Sequence, residues 1–213
     1  MRIDTLLRKA EHKALRTITI SGSVLDLGGD ARSDYRLLFQ GEPSYTTLNL
    51  DLKAQPDILH DLEKPLPVQD SSYDHVLLIN VLEHVFEYRQ LIREAVRAVR
   101  RNGKVLIVVP FLFPEHPSPQ DYWRFSKEAL KRECELAGLK SEPVQSLGSG
   151  VFAARYVLLD RLLPTPLRML GSIFVGPVVL ILDALWTKLA RALKKKYAPS
   201  DYALGYVVVA EKI

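Results

Sequence analysis

Four stretches of this sequence end in residue types suited to holding a polar organic molecule. Leu25-Asp26-Leu27-Gly28-Gly29 closes the first apolar run, and Gly28 admits a ligand to backbone nitrogens that a Cβ would screen. Asp51 follows the second run, where a carboxylate can accept hydrogen bonds from two vicinal hydroxyls. Asp61-Leu62 follows the third and offers a heteroaromatic ring one polar and one apolar contact. Asn80 follows the fourth. Side chains at these ends meet only if the four runs are neighbouring parallel strands whose carboxyl ends share one edge.

The spacing of apolar residues predicts such strands. Val24–Leu27, Tyr45–Leu50, Ile58–His60, His75–Ile79 and Lys104–Val109 are short apolar runs separated by turns or helical stretches. Near-continuous apolarity in His75–Ile79 is the mark of a strand covered on both faces. A helix over Tyr88–Arg100 turns Leu91, Ile92, Ala95, Val96 and Val99 inward, and Arg101-Asn102-Gly103 ends it. A second helix starts after Ser126, a suitable N-cap, and ends near Gly138. Pro143–Leu147 and Gly205–Glu211 complete the expected strands. The predicted fold is α/β, a Rossmann-like, mainly parallel, seven-stranded sheet with helices on both faces. A helical insertion precedes its last strand. The predicted organisation is an amphipathic N-terminal helix within 1–21, a domain formed by 22–150 and 204–213, and an apolar, basic insertion over 151–203.

Composition removes several function classes. The chain has 213 residues and is 47% hydrophobic and 25% charged, so it is neither a disordered polyelectrolyte nor a collagen-like repeat. A single cysteine, Cys134, excludes an internal disulfide and a cysteine metal cluster, and suits a reducing, cytoplasmic setting. Residues 1–21 lack the continuous apolar core of a signal peptide. No histidine or carboxylate group has metal-ligand spacing along the chain, so no catalytic metal is expected.

The net charge of +4 is unevenly placed. Residues 151–200 hold eight basic and two acidic residues, a net +6, which leaves −2 for the rest. Leu185, Trp186, Leu189 and Leu193 recur at helical spacing opposite Lys188, Arg191, Lys194 and Lys195. That pattern suits an interfacial helix on an anionic membrane surface, which makes a peripheral position on the inner membrane surface an expectation. Packing against the sheet or a second subunit is the other reading. The fourteen uncharged residues Met169–Leu182 fall short of the roughly 20 needed for a span, and Gly171, Gly176 and Pro177 argue against one straight helix. Nucleic-acid binding is not expected, because the basic residues flank apolar runs instead of lining a polar groove.

The chain resembles the class I S-adenosylmethionine-dependent methyltransferases, in particular the type 11 methyltransferase-domain family. The resemblance rests on Val24–Gly29, Leu48–Asp51, Asp61 through Pro67, Ser72-Tyr73-Asp74, Val81-Leu82-Glu83-His84-Val85 and Gly103–Val109, and it covers roughly residues 22–148. It implies S-adenosylmethionine as cofactor, with Asp26, Gly28 and Gly29 in the cofactor loop and Gly28 against the methionine portion. Asp51 would meet the ribose, Asp61 and Leu62 the adenine, and Asn80 would flank the pocket. The family's Asp-Leu-Gly-X-Gly-X-Gly reads here Asp26-Leu27-Gly28-Gly29-Asp30-Ala31-Arg32. Asp30 is then expected at the cofactor amine, and Arg32 outward or paired with Asp30 or Asp34. No Gly-X-Gly-X-X-Gly turn of a nicotinamide dehydrogenase is present.

Methyl transfer is an in-line displacement, so alignment and acceptor deprotonation are what the protein must provide. His116, in the loop after the fifth strand, is the expected base for a hydroxyl acceptor, since an imidazole titrates near neutrality. Arg124 suits a phosphate or carboxylate, and Tyr122 or Trp123 a sugar or ring wall. Each also has a structural reading: His116 stabilising its loop, Trp123 and Phe125 anchoring the core, Arg124 pairing with Asp121 or Glu128, and Glu83-His84 capping the next helix. The function expected is methyl transfer to a hydroxyl of a small or lipid-linked glycan acceptor. The alternative is a cofactor-binding or scaffold protein on the same fold.

Overall fold

A computed structural model describes residues 5–30 and 34–213, so the expectation for Arg32 lies outside the described residues. Helix α1 spans Leu6–Leu15, and Thr5 caps it, its Oγ1 accepting from the Arg8 N–H at 3.2 Å. The sheet is built from β1 Gly22–Leu27, β2 Pro43–Asn49, β3 Ile58–Leu59, β4 Tyr73–Ile79, β5 Val99–Pro110, β6 Leu139–Ser141, β7 Gln145–Ser149 and β8 Ala203–Lys212. The remaining helices are α2 Tyr88–Ala98, α3 Lys127–Leu136, α4 Val151–Leu159 and α5 Thr165–Ala192. Strand order is β3-β2-β1-β4-β5-β8-β6, with β7 also on β8. β1 through β5 pair in parallel, and β8 is antiparallel to its neighbours. The order reverses direction between β1 and β4, and that switch point opens the crevice at their carboxyl ends.

Alternation along the strands feeds two cores. Leu25, Leu27, Val76, Leu78, Val105 and Ile107 face α2 and α3, meeting Leu91, Ile92, Ala95 and Leu130. Val24, Leu77, Ile79, Leu106 and Val108 face the other way, toward Leu6, Leu7 and Leu15 of α1 and Ala153, Ala154 and Val157 of α4. Helices thus cover both faces, as the near-continuous apolarity of β4 and β5 requires. Ser126 caps α3, accepting from Ala129 N–H at 3.3 Å, and Gly138 follows it at φ +81°.

Three local expectations change. β5 begins at Val99, paired with Tyr73, and the register shifts before Lys104 meets His75, with Asn102 at φ 60° in between. The strand expected over Pro143–Leu147 is instead β6 and β7, lying end to end along β8. Pro143 has no N–H for the ladder, so pairing lapses there, apart from Glu142 N–H donating to Val209 O at 2.9 Å. Among the described residues, eight strand segments therefore stand where seven strands were expected.

The third change is α5, one continuous helix of 28 residues running through Gly171, Gly176 and Pro177. Tertiary packing outweighs the local breakers. Gly176 lies against Leu6, where an added Cβ would stand 3.2 Å from Leu6 Cδ2, and Lys9 Nζ donates to Ser172 O at 2.9 Å. The buried Asp183 carboxylate accepts from Phe152 and Ala153 N–H at 2.9 and 2.8 Å, supplying the cap that Gly150 cannot give α4. The outer face leaves Leu170, Ile173, Phe174, Val178, Ile181 and Leu185 more than half exposed. By length and composition α5 is apolar enough to cross a membrane, yet one side of it is packed on the domain.

Candidate active site

A cavity of about 580 Å³ occupies the switch-point crevice. Its walls come from the ends of β1, β2 and β4, the turn after β3, helix α1 and the loop after β5.

The β1 turn shows why two glycines stand there. Gly28 has φ +77°, donates its N–H to Leu48 O at 2.7 Å, and would place a Cβ 2.4 Å from Val81 Cγ2. A Cβ on Gly29 would fall 2.2 Å from Asp26 Oδ2. Asn49 Nδ2 donates to the carbonyls of Gly28 and Gly29 at 2.9 and 3.2 Å, clamping the turn to β2. Asp26 is fully buried beneath it. Its carboxylate accepts from Tyr35 Oη at 2.8 Å and Arg36 Nε at 3.0 Å, while Arg36 Nη2 donates to Asp30 O at 2.8 Å. Burial raises the Asp26 pKa to about 6, against the pull of Arg36 and Tyr35.

Gly28, Asp30, Asp51, Asp61, Leu62 and Asn80 all line the cavity. Asp26 and Gly29 do not. They stand beneath and within the turn that carries Gly28. Asp51 is exposed and caps the following 3-10 turn, its Oδ1 accepting from Lys53 N–H at 2.9 Å. Asp61 accepts from Glu63 N–H at 3.0 Å, beside the buried Leu62. Asn80, at φ 53°, has a buried Oδ1 with no hydrogen-bond partner.

Helix α1 contributes Arg8, Glu11, His12 and Leu15 to the wall, a contribution sequence reasoning missed. Glu11 is only 6% exposed, and its Oε1 has no partner. Burial raises its pKa to about 7, with Asn80 and Arg8 pulling it down less strongly. One signal was available: Leu7, Glu11 and Leu15 share a four-residue spacing, so Glu11 is an acid on the apolar stripe of α1.

In the loop after β5, the structure separates the expected roles. Tyr122 lines the cavity and meets Phe86 edge-on at 5.4 Å. Trp123 and Phe125 pack on Tyr88 with ring centroids 5.1 and 5.0 Å away, as core anchors. Arg124 does not reach the cavity. It grips Asp121 in a two-pronged pair at 2.5 and 2.7 Å, the internal pairing named as its structural reading. That guanidinium holds the Asp121 pKa down to about 2. His116 likewise stands behind the cavity wall, which His84 lines. Its Nδ1 faces Asp121 Oδ2 and Pro114 O, each at 3.2 Å, and its Nε2 faces Glu83 Oε1 at 3.7 Å. Glu83 is the main influence raising the His116 pKa.

Comparison with known proteins agrees with this architecture. Residues 38–107 match the model of a family described as methyltransferase domain. The chain is 34% identical over 116 residues to the uncharacterized protein MJ0638 of Methanocaldococcus jannaschii, covering 50% of this chain and 46% of that protein. It thus spans about half the length of the curated relative it matches. Haemonchus contortus phosphoethanolamine N-methyltransferase 2, solved with S-adenosyl-L-methionine, superposes with a TM-score of 0.58 at 15% identity, over 95% of this chain and 52% of that one. The [4+2]-cyclase SpnF superposes with a TM-score of 0.58 at 17% identity, over 97% and 81% of the two chains. With its strand order, its switch-point cavity and these likenesses, the chain has the class I S-adenosylmethionine-dependent methyltransferase fold and matches the methyltransferase domain family over residues 38–107.

Proposed function

We propose that this protein binds S-adenosylmethionine in the switch-point cavity and transfers its methyl group to a hydroxyl of a small or lipid-linked glycan acceptor. The observation that carries the cofactor reading is a pair of buried oxygens with no hydrogen-bond partner, Glu11 Oε1 and Asn80 Oδ1, on the wall beside Gly28. A buried acceptor left unpaired is costly, and the ammonium of the cofactor's methionine end would supply the missing donors. Asp51 suits the ribose hydroxyls, and Asp61 with Leu62 suits the adenine. When bound, the cofactor supplies a sulfonium methyl. The acceptor oxygen would form its bond to carbon as the carbon–sulfur bond breaks, and the hydroxyl proton would leave to water at the cavity mouth on the side of His84. Gly28 and Asn49 hold the turn still, and Tyr122 closes the acceptor side.

Calorimetric titration of the full chain with S-adenosylmethionine tests this. Binding is expected, and Glu11→Ala should weaken it about 10–100-fold, the value of a charge-assisted hydrogen bond. No heat from a protein that keeps its folded circular dichroism spectrum would end the reading. The altered turn at Asp30 favours a second reading, a cofactor-binding scaffold without turnover. That the fold also serves a cyclase illustrates that fold does not dictate reaction. Transfer of labelled methyl to a glycan-lipid fraction separates the two.

The acceptor's lipid linkage is tied to α5, which carries exposed leucines with exposed Lys188 and Arg191, and to the exposed run Lys194-Lys195-Lys196 just beyond its end. We take this surface to rest on an anionic membrane. Each lysine near such a surface contributes on the order of 1 kcal/mol. Flotation with vesicles containing anionic lipid should recover the protein, and charge reversal at Lys194, Lys195 and Lys196 should remove most of that recovery. Equal flotation of both proteins would count against the attachment.

A further inference from the structure

Glu83, His84 and His116 stand together behind the acceptor side of the cavity, with one ligand atom from each lying within 4.8 Å of the others. Glu83 is fully buried, and neither carboxylate oxygen has a hydrogen-bond partner. The Nε2 atoms of His84 and His116 both lie 3.7 Å from Glu83 Oε1, beyond hydrogen-bond range and close to the separation of two ligands on one ion. Both imidazoles are also oriented from behind. His84 Nδ1 meets Gln120 O at 2.6 Å, and His116 Nδ1 meets Asp121 Oδ2 at 3.2 Å. Asp121 is itself fixed by Arg124. A carboxylate or carbonyl on Nδ1 that leaves each Nε2 free beside a shared carboxylate oxygen is the arrangement that prepares histidines for metal.

We infer that Glu83 Oε1, His84 Nε2 and His116 Nε2 bind one divalent first-row transition ion beside the methyl-transfer cavity. Two imidazoles and one carboxylate are the donor set of catalytic zinc and of non-haem iron, while magnesium prefers an all-oxygen shell. Three protein ligands leave open positions, and His84 brings the site to the cavity wall. The ion's role rests on the function proposed above: it takes the acceptor's hydroxyl oxygen as a ligand and makes that hydroxyl more acidic. Its proton then leaves to water at the cavity mouth, and the imidazoles remain ligands. Binding itself does not depend on that reading. An ion pair between Glu83 and a protonated histidine is the rival explanation of the cluster, and it needs no ion.

The test uses the full chain stripped with a chelator and titrated separately with Zn²⁺, Co²⁺ and Mg²⁺. One equivalent of Zn²⁺ should survive desalting, Co²⁺ should give visible ligand-field bands, and Mg²⁺ should not compete at equal concentration. Glu83→Gln and His116→Gln should each weaken zinc binding at least tenfold, in keeping with the effect of lost ligands and their supports. Because Glu83 is in the core, His116→Gln in the loop is the variant that must keep its folded spectrum. No retained zinc, equal zinc binding by the variants, or a preference for Mg²⁺ overturns the inference. A titration of the metal-free protein with S-adenosylmethionine keeps the two readings apart. Cofactor binding without zinc binding sinks the ion alone, and zinc binding without cofactor binding sinks the proposed function alone.

Discussion

Gly28→Ala is expected to lower the unfolding free energy by about 2–5 kcal/mol and to weaken cofactor binding. A non-glycine residue held in the left-handed region costs roughly 1–2 kcal/mol. Gly28 sits there, at φ +77°. The new methyl would also stand 2.4 Å from Val81 Cγ2, a stiff branched side chain that is itself buried. Overpacking of that kind adds about 1–3 kcal/mol. Urea denaturation measures the sum, and a cycle with Val81→Ala divides it. The double variant should recover the steric part and keep the backbone part. A loss below about 0.5 kcal/mol in Gly28→Ala would mean that the turn does not follow this path, because neither contribution alone is that small.

Glu11→Gln should change how stability depends on pH. Burial raises the Glu11 carboxyl from 4.5 to about 7, so the folded protein holds its proton where the unfolded chain has lost it. Stability from this group is fully present below about pH 4.5, falls as pH rises through 7, and then levels off. The shift corresponds to a loss of about 3 kcal/mol between those limits. Glutamine at 11 removes the titration. The variant should match the parent near pH 4.5 and exceed it by about 2–3 kcal/mol at pH 8 in urea titrations without cofactor. The groups that face Glu11 are Arg8 on its own helix, Asn80 after β4, Glu83 in the next turn and His116 in the loop. Asp26, raised to about 6 by its burial, slopes the same way over a lower range in both proteins and cancels in the difference. Parallel pH profiles for the two proteins would refute the buried, protonated state of Glu11. The same substitution should weaken S-adenosylmethionine binding, so a residue that costs stability in the free protein would be kept for its ligand.

Much of the fold is legible along the chain because its cause is local. The runs at Val24–Leu27 and His75–Ile79 are strands covered on both faces, and their apolarity says so without any neighbour being known. Leu91, Ile92 and Ala95 form a helical stripe, and Ser126 and Gly138 bracket a helix by cap chemistry. The carboxyl-edge positions Gly28, Asp51, Asp61, Leu62 and Asn80 follow from the same reasoning, since parallel strands put successive turns on one edge. Helix α5 was less legible. Its glycines and Pro177 are local breakers, and only contacts with α1 and α4 outweigh them.

By itself, the sequence determined a doubly covered parallel sheet, the edge on which the cavity opens, and a basic, apolar segment set apart from a near-neutral body. The tertiary structure alone decided which side chains reach that edge. Asp26 turned under the glycine turn because Tyr35 and Arg36 wait there with donors. Arg124 turned away because Asp121 is three residues off on the same loop. Glu11 and Asn80, and likewise Glu83 and His116, lie too far apart in sequence for any spacing rule to join them. Hydrophobic periodicity is set by each residue's own neighbours along the chain, whereas a polar site is set by which distant backbones close against one another.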